Sequence, residues 1–316
     1  MNRIIRIPDL ELSYLLGVIL GILILGTGIA ALLRRRRPSD ALDKIWQRAI
    51  SWWWMTLPII ACVLLQDWFA VLFLAWLSYA STREFFSIAP VRGADRLALL
   101  IAYGSIPVQY GIAYQGRLLP LLGFIPLVIY ATISYTLVLR QETQGIGRSM
   151  ALIPGMIMLC VFYLSHAAAL FPLAASLTPP ASGIKLLMFL FLITEMNDVF
   201  QFFSGKLFGR HKILPIVSPN KTWEGFIGGI VLSTGFGAAM SFLLPLQAWQ
   251  GAVVSACLAV AGFMGDTIIS AIKRDLQIKD TGDIIPGHGG LLDRLDSLFL
   301  TAPAYYYLLN AFLGLL

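Results

Sequence analysis

Apolar runs long enough to enter a lipid bilayer recur from one end of this chain to the other. Nothing else in the sequence restricts its fold so strongly. Ten segments lie roughly at Leu12–Leu33, Trp53–Leu65, Trp68–Tyr79, Leu97–Ala113, Leu118–Leu139, Met150–Phe171, Leu186–Phe203, Phe226–Leu244, Gly251–Ile269 and Leu298–Leu316. A spanning helix needs about 20 mostly apolar residues. With only 13% of residues charged, the chain is far from a soluble domain, where about a quarter are. Its 58% hydrophobic content excludes disorder. No period-2 alternation recurs, which disfavours a transmembrane β-barrel. The expected fold is an all-α polytopic membrane protein of about ten transmembrane helices. The second and third segments are short and joined only by Gln66-Asp67, so a tight hairpin and a re-entrant pair both fit. Cys62, Cys160 and Cys257 lie inside apolar runs without metal-ligand spacing and read as free buried thiols.

The first segment is followed directly by Arg34-Arg35-Arg36-Arg37 where a signal peptide would have its small-residue cleavage site, so a retained helix is expected. Lys and Arg accumulate in cytoplasmic loops. If every segment crosses once with Arg34–Arg37 inside, only Arg3, Arg6, Arg117 and Lys185 of the 23 Lys and Arg fall outside. The net charge of +6 is therefore read as loop charge, with no nucleic-acid partner expected.

Two of these inner loops are dense in Gly, Pro, acids and bases. The later one holds Ser270-Ala271-Ile272-Lys273-Arg274, Lys279-Asp280, Pro286-Gly287-His288-Gly289-Gly290 and Asp293-Arg294-Leu295-Asp296. If the ninth helix continues past Ile269, Asp266, Ser270 and Lys273 share one helical face. A carboxylate, a hydroxyl and an ammonium on one stripe suit a metal-bound polyphosphate. The Pro286–Gly290 run must be a loop, and its bare backbone N–H groups can approach phosphate oxygens. A helix is expected just after it, with Asp293 and Asp296 in its first turn, where two carboxylates repel unless a cation intervenes. Each residue alone also has a plain reading as an ion pair or loop residue. Together at a bilayer surface they mark function.

The Ser270–Asp296 stretch resembles the signature of the CDP-diacylglycerol synthase (phosphatidate cytidylyltransferase) family. That pattern is Ser-x-apolar-Lys-Arg, four residues, Lys-Asp-x-small, two residues, apolar-Pro-x-His-Gly-Gly-apolar-x-Asp-Arg-apolar-Asp, and every fixed position is met. The earlier loop runs from Asn197-Asp198 to Ser218-Pro219-Asn220-Lys221-Thr222-Trp223-Glu224-Gly225, and its tail is similar to the family's Ser-Pro-x-Lys-Thr-x-Glu-Gly segment. The same residues also suit a helix start. Many bacterial members carry small residues after the aspartate, whereas this chain has Val199-Phe200-Gln201, bulkier side chains that bear on a lipid-facing wall. Glu195, one turn earlier, is an intramembrane acid and a functional candidate. The resemblance covers about Glu195 to Leu316. In the first half only Arg83-Glu84 echoes it.

The resemblance implies a cytoplasmic-face active site between the C-terminal helices. It divides the chain into scaffold helices at 1–149 and a catalytic region at 150–316. It implies condensation of CTP with phosphatidic acid to CDP-diacylglycerol and pyrophosphate, with Mg²⁺ as cofactor and a second cation left open. Asp266, Lys273, Arg274, Asp293 and Asp296 are the expected catalytic residues. Asp266, Asp293, Asp296 and Asp198 are the expected metal ligands. Ser218, Lys221, Thr222, Glu224, Ser270, Lys279, Asp280, His288, Gly289, Gly290 and Arg294 are the expected CTP and phosphate contacts. The partners are then CTP, an acidic phospholipid and membrane lipids, with a homodimer left open, and the location a bacterial inner membrane.

A CTP-dependent lipid or polyprenol kinase would share the pocket but move the γ-phosphoryl group. A catalytically inactive homologue or scaffold would keep the fold. A transporter would place its ionisable groups near the midplane, where only Glu195 and His166 fall. The Asp-Gly…Ala-Arg…Asp…Asp motif of a CDP-alcohol phosphatidyltransferase is absent.

Overall fold

A computed structural model describes residues 6–36, 39–282 and 289–315. Its long helices are α1 (Leu10–Arg36), α2 (Asp40–Leu64), α3 (Asp67–Ile88), α4 (Arg96–Tyr114), α5 (Leu118–Leu139), α6 (Ile146–Ser176), α7 (Gly183–Phe208), α8 (Trp223–Ala239), α9 (Ala248–Asp275) and α10 (Leu292–Phe312). Each apolar segment of the sequence falls largely within one of them. Six of these elements, α1, α4 with its leading turn from Gly93, α5, α6, α7 and α9, are long and apolar enough to cross a membrane. The second and third segments belong to longer helices than their apolar runs suggest. Ser39 caps α2 by accepting from the Leu42 N–H at 3.4 Å, and α3 continues to Ile88 through Arg83 and Glu84. The pair is a helical hairpin turned at Leu65-Gln66.

The helices alternate in direction, because odd and even connections gather at opposite ends. At one end Arg6 pairs with Asp67, Lys185 with Asp9 and Glu11, and Gly116 sits against Pro172. At the other, Arg34 pairs with Asp43, Arg92 donates to the Glu142 and Gln144 carbonyls, and Glu84 meets Leu291. Helix α6 is the central element and α1 a peripheral one, with 78% and 6% of their apolar windows buried.

Polar side chains join the helices where lipid offers no hydrophobic contrast. Pro154 interrupts the ladder of α6, and the next turn widens to a π segment at Met158–Tyr163, a common response to a lost ladder bond. The Cys160 carbonyl in that segment accepts from Ser78 Oγ of α3 at 2.6 Å. His166 is fully buried, bonds the Phe162 carbonyl at 2.9 Å and packs edge-on to the Phe162 ring, so its role is structural. Cys62 and Cys160 are buried as expected, whereas Cys257 is exposed on α9, on a helix face that only the sequence's apolarity had suggested was covered.

One element departs from the all-α expectation. Strands β1 (Lys212–Leu214) and β2 (Ser218–Thr222) pair antiparallel in the α7–α8 connection, Lys212 opposite Thr222 and Leu214 opposite Ser218. Five residues around Pro219 are too few to show a period-2 pattern. Thr222 ends β2 and caps α8, its Oγ1 accepting from the Gly225 N–H at 3.2 Å.

Candidate active site

The end of α7 and the start of α8 meet β2 around a cleft of about 460 Å³, lined among others by Asp198, Gln201, Lys206, Ser218, Lys221 and Thr222, and the acids of α9 and α10 stand behind Lys221. Its acids are brought together by close helix crossing. A Cβ on Gly265 would lie 2.4 Å from the Asp296 carbonyl oxygen, so only glycine lets α9 and α10 touch there. Asp266 and Asp296 are consequently neighbours, and Asp198 of α7 lies within electrostatic range of both.

The helical stripe read from the sequence is present. Ser270 Oγ donates to Asp266 Oδ1 at 3.2 Å. The other Asp266 oxygen, Oδ2, lies 2.6 Å from Lys221 Nζ of β2. Lys221 also donates to Gln201 Oε1 at 3.3 Å and sits 5.4 Å from the centre of the Phe263 ring. Burial disfavours its ammonium, but the Asp266 and Asp198 carboxylates more than offset this, and its pKa lies above the ordinary lysine range. Asp296 is buried and accepts from the Ser297 N–H at 2.7 Å, while Ser297 Oγ donates to Asp198 Oδ2 at 3.1 Å. Asp198 Oδ1 is buried without a hydrogen-bond partner among the described residues.

The two acids of the first turn of α10 part company. Asp296 joins Asp198 and Asp266. Asp293 takes other partners, 2.6 Å from Lys273 Nζ and accepting from the Thr281 N–H at 2.9 Å and its hydroxyl at 3.0 Å. Their mutual repulsion is relieved by separate partners. Among the described residues no three His, Cys, Asp or Glu side chains converge closely enough to hold a metal by themselves. A cation bound here must take part of its shell from elsewhere, as Mg²⁺ does from substrate phosphates.

The remaining expected residues divide. Thr222 is spent on capping α8. Glu224 accepts from the Arg210 and His211 N–H groups and lies 2.6 Å from His211 Nδ1, so it fastens the chain entering β1. These donors, Arg210 N–H first and then the His211 ring, hold its pKa down to about 2. Arg274 donates to the Val217 and Ile278 carbonyls, tying the α9 terminus to the hairpin. Lys279, Asp280 and Arg294 are exposed. Gly289 has φ +84° and the Gly290 N–H approaches Asp293 Oδ2 at 3.3 Å. His288 lies outside the described residues.

Glu84, which the sequence marks only as an echo of the family with no role assigned, joins the candidate site. It is buried at 5% exposure on α3. Its carboxylate accepts from the Leu291 N–H at 2.8 Å, the Leu292 N–H at 3.3 Å and the Thr281 hydroxyl. A Cβ on Gly290 would lie 2.0 Å from Glu84 Oε1, so the glycine is required by this contact. In the sequence its signals are the Arg83-Glu84 echo and an acid at the end of an apolar run.

Comparisons with known proteins give the chain a family. The chain is 34% identical over 296 residues, 93% of its length and 97% of the relative's, to the uncharacterized protein YnbB of Escherichia coli K12. It is 39% identical over 131 residues to phosphatidate cytidylyltransferases of Staphylococcus haemolyticus and Staphylococcus aureus, a match covering 41% of this chain and half of each enzyme. The model of the cytidylyltransferase family matches residues 46–312, a span that takes in Glu84, both polar loops and every acid of the cleft, and the chain belongs to that family.

Proposed function

We propose that this chain is a phosphatidate cytidylyltransferase, making CDP-diacylglycerol and pyrophosphate from CTP and phosphatidic acid. The observation that carries the reading is the clustering of Asp198, Asp266 and Asp296 around Lys221 at the edge of the cleft, with Ser270 on Asp266 and the Lys273–Asp293 pair nearby. A phosphatidate oxygen attacks the α-phosphorus of CTP, and the bond from that phosphorus to the β-phosphate oxygen breaks to release pyrophosphate. The nucleophile is already ionised, so no covalent enzyme intermediate or strong general base is needed. Two anions must instead be held together, which calls for fixed positive charge. Lys221 is charged at any physiological pH and sits where a triphosphate entering the cleft would meet it.

The donor set fits Mg²⁺. Asp198 offers a buried oxygen without a partner, and Asp266 and Asp296 stand beside it. Because no three acids converge closely enough among the described residues, Asp198 with one neighbouring carboxylate, Asp266 or Asp296, would hold the ion, with substrate phosphates completing its shell. When bound, it supplies neutralisation of the polyphosphate. Lys273 and Asp293 position the loop at Thr281 and Gly290. The clustering of Lys and Arg supports ten crossings with the cleft facing the cytoplasm, in a bacterial inner membrane.

Purified protein in lipid micelles, supplied with Mg²⁺, phosphatidic acid and CTP labelled at the α-phosphate, tests this. Label entering the lipid with pyrophosphate release, both lost in Asp266→Asn, is the expected result. Label remaining in soluble CDP would instead establish γ-phosphoryl transfer, and absence of turnover on acidic lipids would favour a scaffold.

A further inference from the structure

Helix α7 separates two spaces of opposite character. Asp198, Gln201, Phe202, Gly205 and Lys206 face the polar cleft. Met188, Phe191, Leu192, Glu195, Met196 and Val199 face a groove of about 550 Å³ whose other walls are α1 and α2. That volume lies within the roughly 300–1,000 Å³ range of small-molecule pockets. The groove follows α7 from Met188 to Val199, about 16 Å at a rise of about 1.5 Å per residue. Its α1–α2 wall is braced by Trp53 Nε1, which donates to Thr27 Oγ1 at 3.0 Å.

The groove has a polar and an apolar end. Its charged residues, Arg48 and Glu195, stand in the half nearer Ala30, Ile45 and Val199, the end of the bundle that also carries Arg34–Arg36 and the cleft. The deeper half is lined by Ile19, Ile22, Ile59, Met188, Phe191 and Leu192. A long, narrow, apolar slot with a charged mouth is complementary to an amphiphile with one extended hydrocarbon chain. Glu195 and Asp198 are one turn apart, so a ligand seated here has its polar end level with the cleft.

We propose that this groove binds one acyl chain of the acidic glycerophospholipid acceptor, with the glycerol ester region at Arg48 and Glu195 and the phosphate directed to the level of Asp198. This rests on the cytidylyltransferase reading and adds to it the place where the lipid is recognised. Val199 and Gly26 of α1 line the slot, and nothing lies within 4 Å of a Cβ built at Gly26, so a larger side chain has room to extend there.

The test compares kcat/KM for dipalmitoyl and dihexanoyl phosphatidate in wild type, Gly26→Leu and Leu119→Trp. Leucine at position 26 favours helix over glycine, so the variant folds, and its side chain enters the slot. Leu119 is 83% exposed on α5 and serves as a control for general bilayer contact. The long-to-short ratio falls about tenfold in Gly26→Leu, the low end of what one methylene decides in an apolar pocket, and is unchanged in Leu119→Trp. An unchanged ratio in Gly26→Leu, or an equal loss in both variants, overturns the proposal. If wild type transfers no cytidylyl group, the functional reading fails and labelling decides the groove separately. Phosphatidate bearing a diazirine on its acyl chain should then mark the Ile19–Thr27 and Ala49–Ile59 segments and be displaced by phosphatidate but not phosphatidylcholine. Equal displacement by both, or uniform labelling, means ordinary boundary lipid and also overturns it.

Discussion

Replacing Glu84 tests whether a residue from the first half of the chain holds the active-site loop. In Glu84→Ala the Leu291 and Leu292 N–H groups and the Thr281 hydroxyl lose their common acceptor. A buried donor left without a partner costs about 1–3 kcal/mol. The carboxylate also faces the N-terminus of α10, an interaction of about 0.3–1 kcal/mol. Allowing for water entering the vacated space, the loop loses about 3 kcal/mol, which is about a hundredfold in its opening equilibrium at about 1.4 kcal/mol per decade.

Glu84→Gln is a much milder change, for a reason visible in the geometry. The single Thr281 hydroxyl proton faces two carboxylates, Glu84 and Asp293. A glutamine can keep its oxygen toward Leu291 N–H and turn its NH₂ to donate to Thr281 Oγ1, freeing the hydroxyl proton for Asp293. Only the 3.3 Å contact from Leu292 is lost, about 1 kcal/mol. Hydrogen–deuterium exchange of the 289–297 segment in micelles reads this directly. Exchange is expected to rise about a hundredfold in Glu84→Ala and less than tenfold in Glu84→Gln, with turnover falling in the same order. Unaltered exchange in Glu84→Ala alongside lost turnover would refute the reasoning and place Glu84 in the chemistry itself. Equal damage from both variants would refute the hydrogen-bond account in favour of net charge.

Three further outcomes are expected. Gly265→Ala drives a Cβ into the Asp296 carbonyl, an overpacking cost of about 1–3 kcal/mol, seen as a lower unfolding temperature and as weaker apparent Mg²⁺ affinity because Asp266 and Asp296 separate. Glu224 has a folded pKa of about 2, below its unfolded value, so its contribution is complete above the ordinary carboxylate range and is lost as pH falls towards 2; proteolysis within 209–222 should accelerate over that window in wild type and be already fast at neutral pH in Glu224→Gln. Chelation of Mg²⁺ should abolish turnover, and Asp198→Asn should raise the Mg²⁺ concentration needed to restore it by about tenfold or more while leaving micellar unfolding little changed, since Asp198 Oδ1 has no protein partner among the described residues to lose.

The fold and the site were legible to different depths for different physical reasons. Apolar length finds helices because a bilayer demands about 20 such residues, and so every segment fell on a helix. It misplaces ends wherever a helix leaves the apolar layer, as α2 does before Trp53 and α3 after Tyr79. Partners within one helix are fixed by its 3.6-residue period, and the Ser270–Asp266 bond follows from that alone. The short β hairpin carries no such period, yet it sets Lys221 against Asp266.

Partners between helices depend on crossings that only small residues reveal. Asp293 and Asp296 share a helical turn, and periodicity gives no reason for them to take different partners. That division is imposed by Gly265, which brings Asp266 to Asp296, and by Glu84, which lies 207 positions before Leu291 in the chain. Glu84 also explains why a loop with paired glycines precedes α10. The carboxylate occupies the volume where a side chain at position 290 would stand, and in exchange it accepts the first N–H groups of the helix. The loop before α10 is therefore held from the N-terminal half of the bundle, and a perturbation on α3 reaches Asp293 through Thr281 from a residue outside the signature.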